Sequence, residues 1–130
     1  MPRPHEKPAI RSYRDLVVWQ KAMELAEGVY GATSTFPKEE IYGLTSQMRR
    51  AAVSVPSNIA EGHDRHSRGE YLLFVGHARG SLSELETQTI LAARLGRLPP
   101  SYEQSLMELM SEVGRLLNGL RKSLKAAHDP

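Results

Sequence analysis

EEIYGLTSQMRRAAVSVPSNIAEG, residues 39–62, decides how this chain folds. Ile41, Leu44, Met48, Ala51, Val55 and Ile59 recur at spacings of three and four, the rhythm of one helical face. The last nine residues, SVPSNIAEG, are out of character. Proline, serine and asparagine are poor formers of a helix interior. Pro56 removes one backbone hydrogen bond and crowds the carbonyl four residues back, at Ala52. Either one helix continues with a kink near residues 52–56, or Val55 ends it and a separate turn follows. The residue before a proline is a frequent helix boundary, not an obligatory one, which favours the kinked helix. That helix opens at Phe36-Pro37, runs to about Glu61 and stops at Gly62.

The same stretch carries a second stripe. Gln47, Arg50, Ser54, Asn58 and Glu61 are spaced 3, 4, 4 and 3. Downstream, His77, Ser81, Glu84 and Gln88 are spaced 4, 3 and 4. A hairpin turning near residue 66 places residues opposite each other when their numbers sum to about 132. Ser54 then faces His77 or Ala78, and Asn58 faces Phe74. Gly76 and Gly80 would let the backbones approach. The stripes read as a structural polar zipper between two helices, or as a face towards a neighbouring subunit. Arg50 is assigned to a pair with Glu84, whereas Arg49, about 100° round the helix, is assigned to the outside.

Working outward, Ser12 and Asp15 resemble a capping box. Leu16, Trp19, Met23, Ala26, Tyr30 and Thr33 form the seam of a first helix of roughly 20 residues. A third helix starts near Ser67 and carries Tyr71, Phe74, Ala78, Leu82, Leu85, Thr89, Ala92 and Leu95, ending at Gly96. Ser101 can cap a fourth, with Leu106, Leu109, Val113, Leu117, Leu120 and Leu124 as its seam. Four amphipathic helices with short connections predict an all-α fold, an antiparallel up-down-up-down four-helix bundle. The expected division is an N-terminal arm over 1–11, the bundle over 12–126, and a frayed C-terminus over 127–130.

The chain has 130 residues, enough for one domain with its own core. It contains no cysteine, which excludes disulfides, thiolate metal sites and dithiol redox chemistry. MPRPHEKPAIRS has no apolar signal-like region, and no apolar run approaches a membrane span. A cytoplasmic protein with no membrane partner is expected. The net charge of +2 permits a nucleic-acid partner without demanding one.

Five pieces then carry a resemblance: WQKA (19–22), FPKEE (36–40), YGLTSQMRRAA (42–52), SVPSNIAEG (54–62) and GSLSEL (80–85). Together they resemble the four-helix-bundle proteins encoded in intervening sequences of bacterial 23S rRNA genes, over about residues 12–122. EVGRLL (112–117) is similar to a fragment of a more distant group, the accessory variability determinant proteins of diversity-generating retroelements. The resemblance implies a homo-oligomer, a pentameric barrel of bundles, and no enzyme. The retroelement proteins bind a reverse transcriptase and nucleic acid, so the resemblance also points to RNA, DNA or a reverse transcriptase as partner.

The candidate nucleic-acid-binding residues are Arg49, Arg65, Arg68, Arg79, Arg115, Arg121 and Lys122. The turn HDRHSRGE, 63–70, collects His63, Arg65, His66 and Arg68. An arginine cluster on a turn can hold phosphate oxygens, and the same composition suits a solvated loop. Arg115, Arg121, Lys122 and Lys125 form a second basic surface, which also suits the negative end of a helix. His63, Asp64 and His66 lack helical i, i+4 pairing, so no metal is assigned. Glu61 and Glu84 lie several turns apart in the hairpin register, and no serine–histidine–acid set is evident. No catalytic residue and no cofactor are expected. Trp19, Tyr30, Tyr71 and Phe74 are assigned to the core.

The leading expectation is a non-enzymatic oligomeric bundle that binds nucleic acid, structured RNA first, through basic surfaces. Charge reversal at Arg65 and Arg68 is expected to weaken binding. The alternative is a protein-interaction scaffold, such as an accessory subunit for a retroelement reverse transcriptase. Val17, Val18, Leu25 and Val29, off the first helix's seam, would supply its apolar surface.

Overall fold

The computed structural model describes residues 9–127. Most of the expected arm and the last three residues lie outside that range. The described chain forms four helices: α1 (Val17–Thr33), α2 (Leu44–His63), α3 (Arg68–Arg94) and α4 (Pro100–Ala126). Each packs on its neighbour in sequence, α1 also packs on α4, and neither diagonal pair comes as close. This is the expected four-helix bundle. Leu25, Val29, Met48, Val55, Ile59, Leu82, Leu85, Met110, Val113 and Leu117 are buried at its centre. Burying each such side chain contributes about 1.5–3 kcal/mol before entropy is counted.

The expected face of α1 holds at Ala26 and Thr33, which are buried, and is displaced elsewhere. Val18, Ala22, Leu25, Val29 and Ala32 are buried, whereas Met23 and Tyr30 are exposed and Trp19 is half-buried. Both columns are apolar, so periodicity alone does not separate them. Small and aliphatic side chains fill the interior, and the bulky amphipathic ones take its rim. Three of the residues counted above as spare apolar surface are therefore core: Val18, Leu25 and Val29. Only Val17 is exposed.

The helix starts also differ. Ser12 and Asp15 do form a capping box, with the Asp15 carboxylate accepting from the amides of Arg11 at 2.8 Å and Ser12 at 3.3 Å. These hydrogen bonds hold the Asp15 carboxyl below its ordinary pKa. The box closes only a 3-10 turn, Tyr13–Asp15. Leu16 is extended, and α1 begins after it. Likewise Pro37 opens a 3-10 turn, Lys38–Glu40, and α2 starts beyond Gly43. Ser101 is not the cap of α4; Pro99 holds that position, with Pro100 as the first helical residue. Gly96, at φ +73°, ends α3 as expected, and Arg97 N–H bonds back to Ala92 O at 2.9 Å.

α2 runs unbroken through Pro56, so no separate turn follows Val55. Ser54 Oγ meets Ser81 Oγ at 2.8 Å, a hydrogen bond between α2 and α3. The Asn58 amide donates to Ser54 O at 2.8 Å and to Ser54 Oγ at 2.9 Å. It serves Ser54, not the carbonyl of Ala52. The 54–81 pair sums to 135, so the hairpin is displaced by three residues from the expected register. His77 therefore leaves the zipper.

The close approach is made by Gly62 rather than Gly76 and Gly80. A Cβ on Gly62 would lie 2.8 Å from Phe74 Cβ and 3.1 Å from Tyr71 Cδ1, whereas Gly76 and Gly80 face open space. Gly62→Ala is expected to destabilise by about 1–3 kcal/mol through overpacking. Gly80→Ala is expected to stabilise by about 0.5–1 kcal/mol through helix propensity. Urea denaturation of the pair checks both signs. Asn58→Leu should leave a helical protein whose unfolding free energy falls by about 1 kcal/mol per lost hydrogen bond; an unchanged urea midpoint would remove the zipper's contribution.

Candidate nucleic-acid interface

The two helices that end and begin the basic segments, α3 and α4, leave a groove between them. One cavity of about 600 Å³ lies along it, lined by Gly69, Leu72, Leu73, Val75, Gly76, His77, Arg79, Leu117, Asn118, Arg121 and Lys125. A second, of about 360 Å³, continues it past Arg79, Glu86, Ser111, Arg115 and Asn118. Arg79 and Asn118 line both, so the groove is continuous. Lys122 lines its outer rim with Asn118, Arg121 and Lys125.

The sequence builds this surface from helical spacing. Arg115, Asn118, Lys122 and Lys125 are spaced 3, 4 and 3 along α4, with Arg121 beside them. Arg79 reaches across from α3 to the buried Gly114 on α4, where a Cβ would be in ordinary contact, 3.6 Å from Arg79 Nη1. Among the described residues Glu86 is the one acidic side chain lining the groove, and it holds Arg79 Nη1 at 3.7 Å. Arg115 Nη1 donates to Ser111 Oγ at 2.8 Å. The positive N-terminal end of α3 and the cationic last turn of α4 adjoin here. The cations of α4 favour an anion beside Gly69, against the opposing charge of Glu70 in the first turn of α3.

Four of the seven candidate contacts therefore come together: Arg79, Arg115, Arg121 and Lys122. Arg68 opens α3, exposed and one residue before the groove-lining Gly69. The other two are elsewhere, and each has structural work. Arg49 does not face outward. Its Nε donates to Thr33 Oγ1 at 2.9 Å, its Nη2 to Tyr30 O at 3.5 Å, and its guanidinium lies 4.5 Å over the Tyr30 ring. It caps the C-terminal end of α1. Arg65 bonds Glu61 at 3.1 Å, pairs with Glu70 at 3.8 Å and stacks 4.7 Å over Phe74. It braces the α2–α3 connection, so its charge reversal would disturb the hairpin before any ligand.

The zipper residues divide too. Gln47, Arg50, Ser54, Ser81, Glu84 and Gln88 line one polar cleft between α2 and α3. Among the described residues no ion pair joins Arg50 to Glu84, and Arg50 is exposed. The two arginines have thus exchanged their expected roles. Gln88 Oε1 is buried without a partner among the described residues. Glu61 belongs to the Arg65 brace, and His77 belongs to the α3–α4 groove, edge-on to Phe74 at 5.6 Å. His63 lies 3.4 Å from Asp64 and edge-on to Tyr71, whose phenol pKa is raised by burial. Among the described residues no three His, Asp or Glu side chains converge where a metal could bind. Among the same residues no helix is long and apolar enough to cross a membrane. Asn118 and the groove's apolar floor were missed by reading charge alone; the 3–4 spacing of residues 115–125 was the available signal for Asn118, and the floor, mostly from α3, had none on α4.

The family of 23S rRNA-intervening sequence proteins matches residues 14–119. The chain belongs to this family. The family match stops short of Arg121, Lys122 and Lys125. The fold is shared with a crystal structure of a protein of unknown function from the S23 ribosomal protein family of Bacteroides thetaiotaomicron. That chain is 22% identical, with a TM-score of 0.74, over 82% of this chain and 99% of the other. No curated protein matches.

Arg49→Ala is expected to lower stability by about 1 kcal/mol, the scale of a lost cap, and to leave nucleic-acid affinity unchanged. Thermal denaturation and a binding titration on the same variant check both halves.

Proposed function

We propose that this member of the family is a non-enzymatic nucleic-acid-binding protein whose contact surface is the α3–α4 groove. The observation that carries the proposal is the set Arg79, Arg115, Arg121, Lys122 and Lys125 along one groove whose lining, among the described residues, has a single acid. Net charge does not reveal this. The remaining charges are spread over other faces or spent on internal ion pairs, so a near-neutral chain still carries one locally cationic strip. Guanidinium and ammonium groups in a row suit phosphate oxygens. Few donors are aimed as a base-reading set, so binding is mostly electrostatic. Structured RNA is the first ligand to try.

A homo-oligomer accompanies this reading. Tyr42, Val17, Ile41, Tyr30 and Tyr102 are large apolar side chains exposed on the single chain. The second reading, a scaffold for a protein partner, draws on Ile90, Leu91 and Leu95, clustered at the C-terminal end of α3 and exposed. The apolar surface first assigned to that role on α1 is core, which moves the candidate face to α3.

Nuclease-treated protein is expected to bind an RNA hairpin with an affinity that falls as salt rises. Four phosphate contacts give a slope of log affinity against log salt of about −3. Arg121→Glu with Lys122→Glu should reduce affinity at least tenfold and flatten the slope. Unchanged affinity would remove the groove, and a salt-insensitive complex with a protein instead would favour the scaffold. Light scattering on the purified chain measures the oligomer, and a monomer mass would end that part.

A further inference from the structure

A surface that only tracked phosphates would need cations and no apolar floor. The larger cavity has both. Leu72, Leu73, Val75 and Leu117 line it together with Arg79, Arg121 and Lys125. Leu73 is 56% exposed, an apolar side chain that neighbouring helices do not cover. Gly69 and Gly76 lie on the same wall of α3, and a Cβ on either would meet nothing within 4 Å. The glycines therefore do not serve helix packing. At a cost in helix stability, they keep the cavity open between Leu73 and His77. The volume, about 600 Å³, falls in the range of pockets that take small organic ligands, roughly 300–1,000 Å³.

We infer that this cavity is a base pocket, which takes an unpaired nucleobase while Arg79, Arg121 and Lys125 hold the flanking phosphates. The inference rests on the proposed function and narrows its ligand class to strands with unpaired nucleotides: loops, bulges or single strands. A base in a duplex is stacked on both faces and presents only its edges, so it cannot occupy an apolar cavity. An unpaired base can, with its face on the Leu73–Gly76 wall. The His77 imidazole lines the pocket and is fixed edge-on by Phe74, which offers one flat neighbour for stacking. Asn118, on the opposite wall, is exposed and supplies an amide within the same cavity. Cations around an apolar floor match the one polymer that alternates an anion with a flat, weakly polar ring.

The test compares two short RNA strands at one salt concentration: an intact single strand, and the same strand with abasic sites, which keeps every phosphate. Stacking on an aromatic side chain changes affinity by roughly five- to a hundredfold per base. The intact strand is expected to bind at least tenfold tighter than the abasic one, and tighter than its own duplex. Gly76→Leu fills the pocket, leaves charge unchanged and improves helix propensity. It is expected to abolish that preference while keeping the affinity for the abasic strand. Leu73→Ser, at an exposed position, should narrow the preference in the same direction. Equal affinity for intact and abasic strands overturns the pocket but leaves the phosphate groove standing. A Gly76→Leu variant that loses both ligands equally also overturns it. No binding of any strand at low salt removes the pocket and the proposed function together.

Discussion

The contact between α2 and α3 is the constraint on which the rest depends. It is made of small and polar parts: the hydroxyls of Ser54 and Ser81, with Asn58 bonding Ser54 from within α2, and Gly62 against Phe74 and Tyr71. An apolar interface could slip by a turn and recover much of its burial. Two hydroxyls at 2.8 Å cannot, because a displaced hydroxyl in a part-buried interface loses its partner. Gly62 sets the separation at the turn end of the hairpin, and the serines set the register above it. Once α3 is fixed in this way, its remaining surface is allotted. One face closes the core through Val75, Ala78, Leu82 and Leu85, and another is left to meet α4.

That allotment explains how the arginines are used. Nothing in the composition places the 17 lysines and arginines on any one face. Three are spent inside the architecture. Arg49 caps α1, Arg65 braces the hairpin, and Arg97 bonds Glu40 at 3.1 Å, tying the α3–α4 connection to the α1–α2 connection. Each sits at the end of a helix, where carbonyls or carboxylates need a donor. Of those that remain, Arg79, Arg115, Arg121, Lys122 and Lys125 share one groove on the α3–α4 side.

The bundle itself was legible because its signal is repeated. Four stretches keep the 3–4 rhythm, and Gly96 ends α3 as expected, whereas α2 runs on through Gly62 to His63. The errors arise where the rhythm is degenerate. On α1 two adjacent columns are apolar, and which one is buried depends on the radius of the neighbouring helices, not on local pattern. In the α2–α3 hairpin, register depends on where the turn lies to within a few residues. A three-residue displacement exchanged Ala78 for Ser81 opposite Ser54. The site was harder to read for the same reason. Arg49 and Arg50 are neighbours on one helix, and only the position of α1 decides which is captured. Arg115 to Lys125 could be recognised as one stripe, but Gly76 and Leu73, which turn the stripe into a pocket, come from another helix some forty residues earlier.

The groove's two halves also differ in what the family match covers. Arg79, Gly76 and Leu73 lie within residues 14–119, whereas Arg121, Lys122 and Lys125 lie beyond it. The cavity wall on α3 thus belongs to the matched bundle, and the cationic rim belongs to the last turns of α4. Those turns would be basic for helix stability alone, since cations favour the negative end of the macrodipole. Antiparallel packing then sets that end beside the positive start of α3. A helix-end preference that is purely local becomes, through topology, a concentration of positive potential over an apolar cavity. The chemistry that a ligand would meet there follows from up-down-up-down connectivity as much as from any single residue.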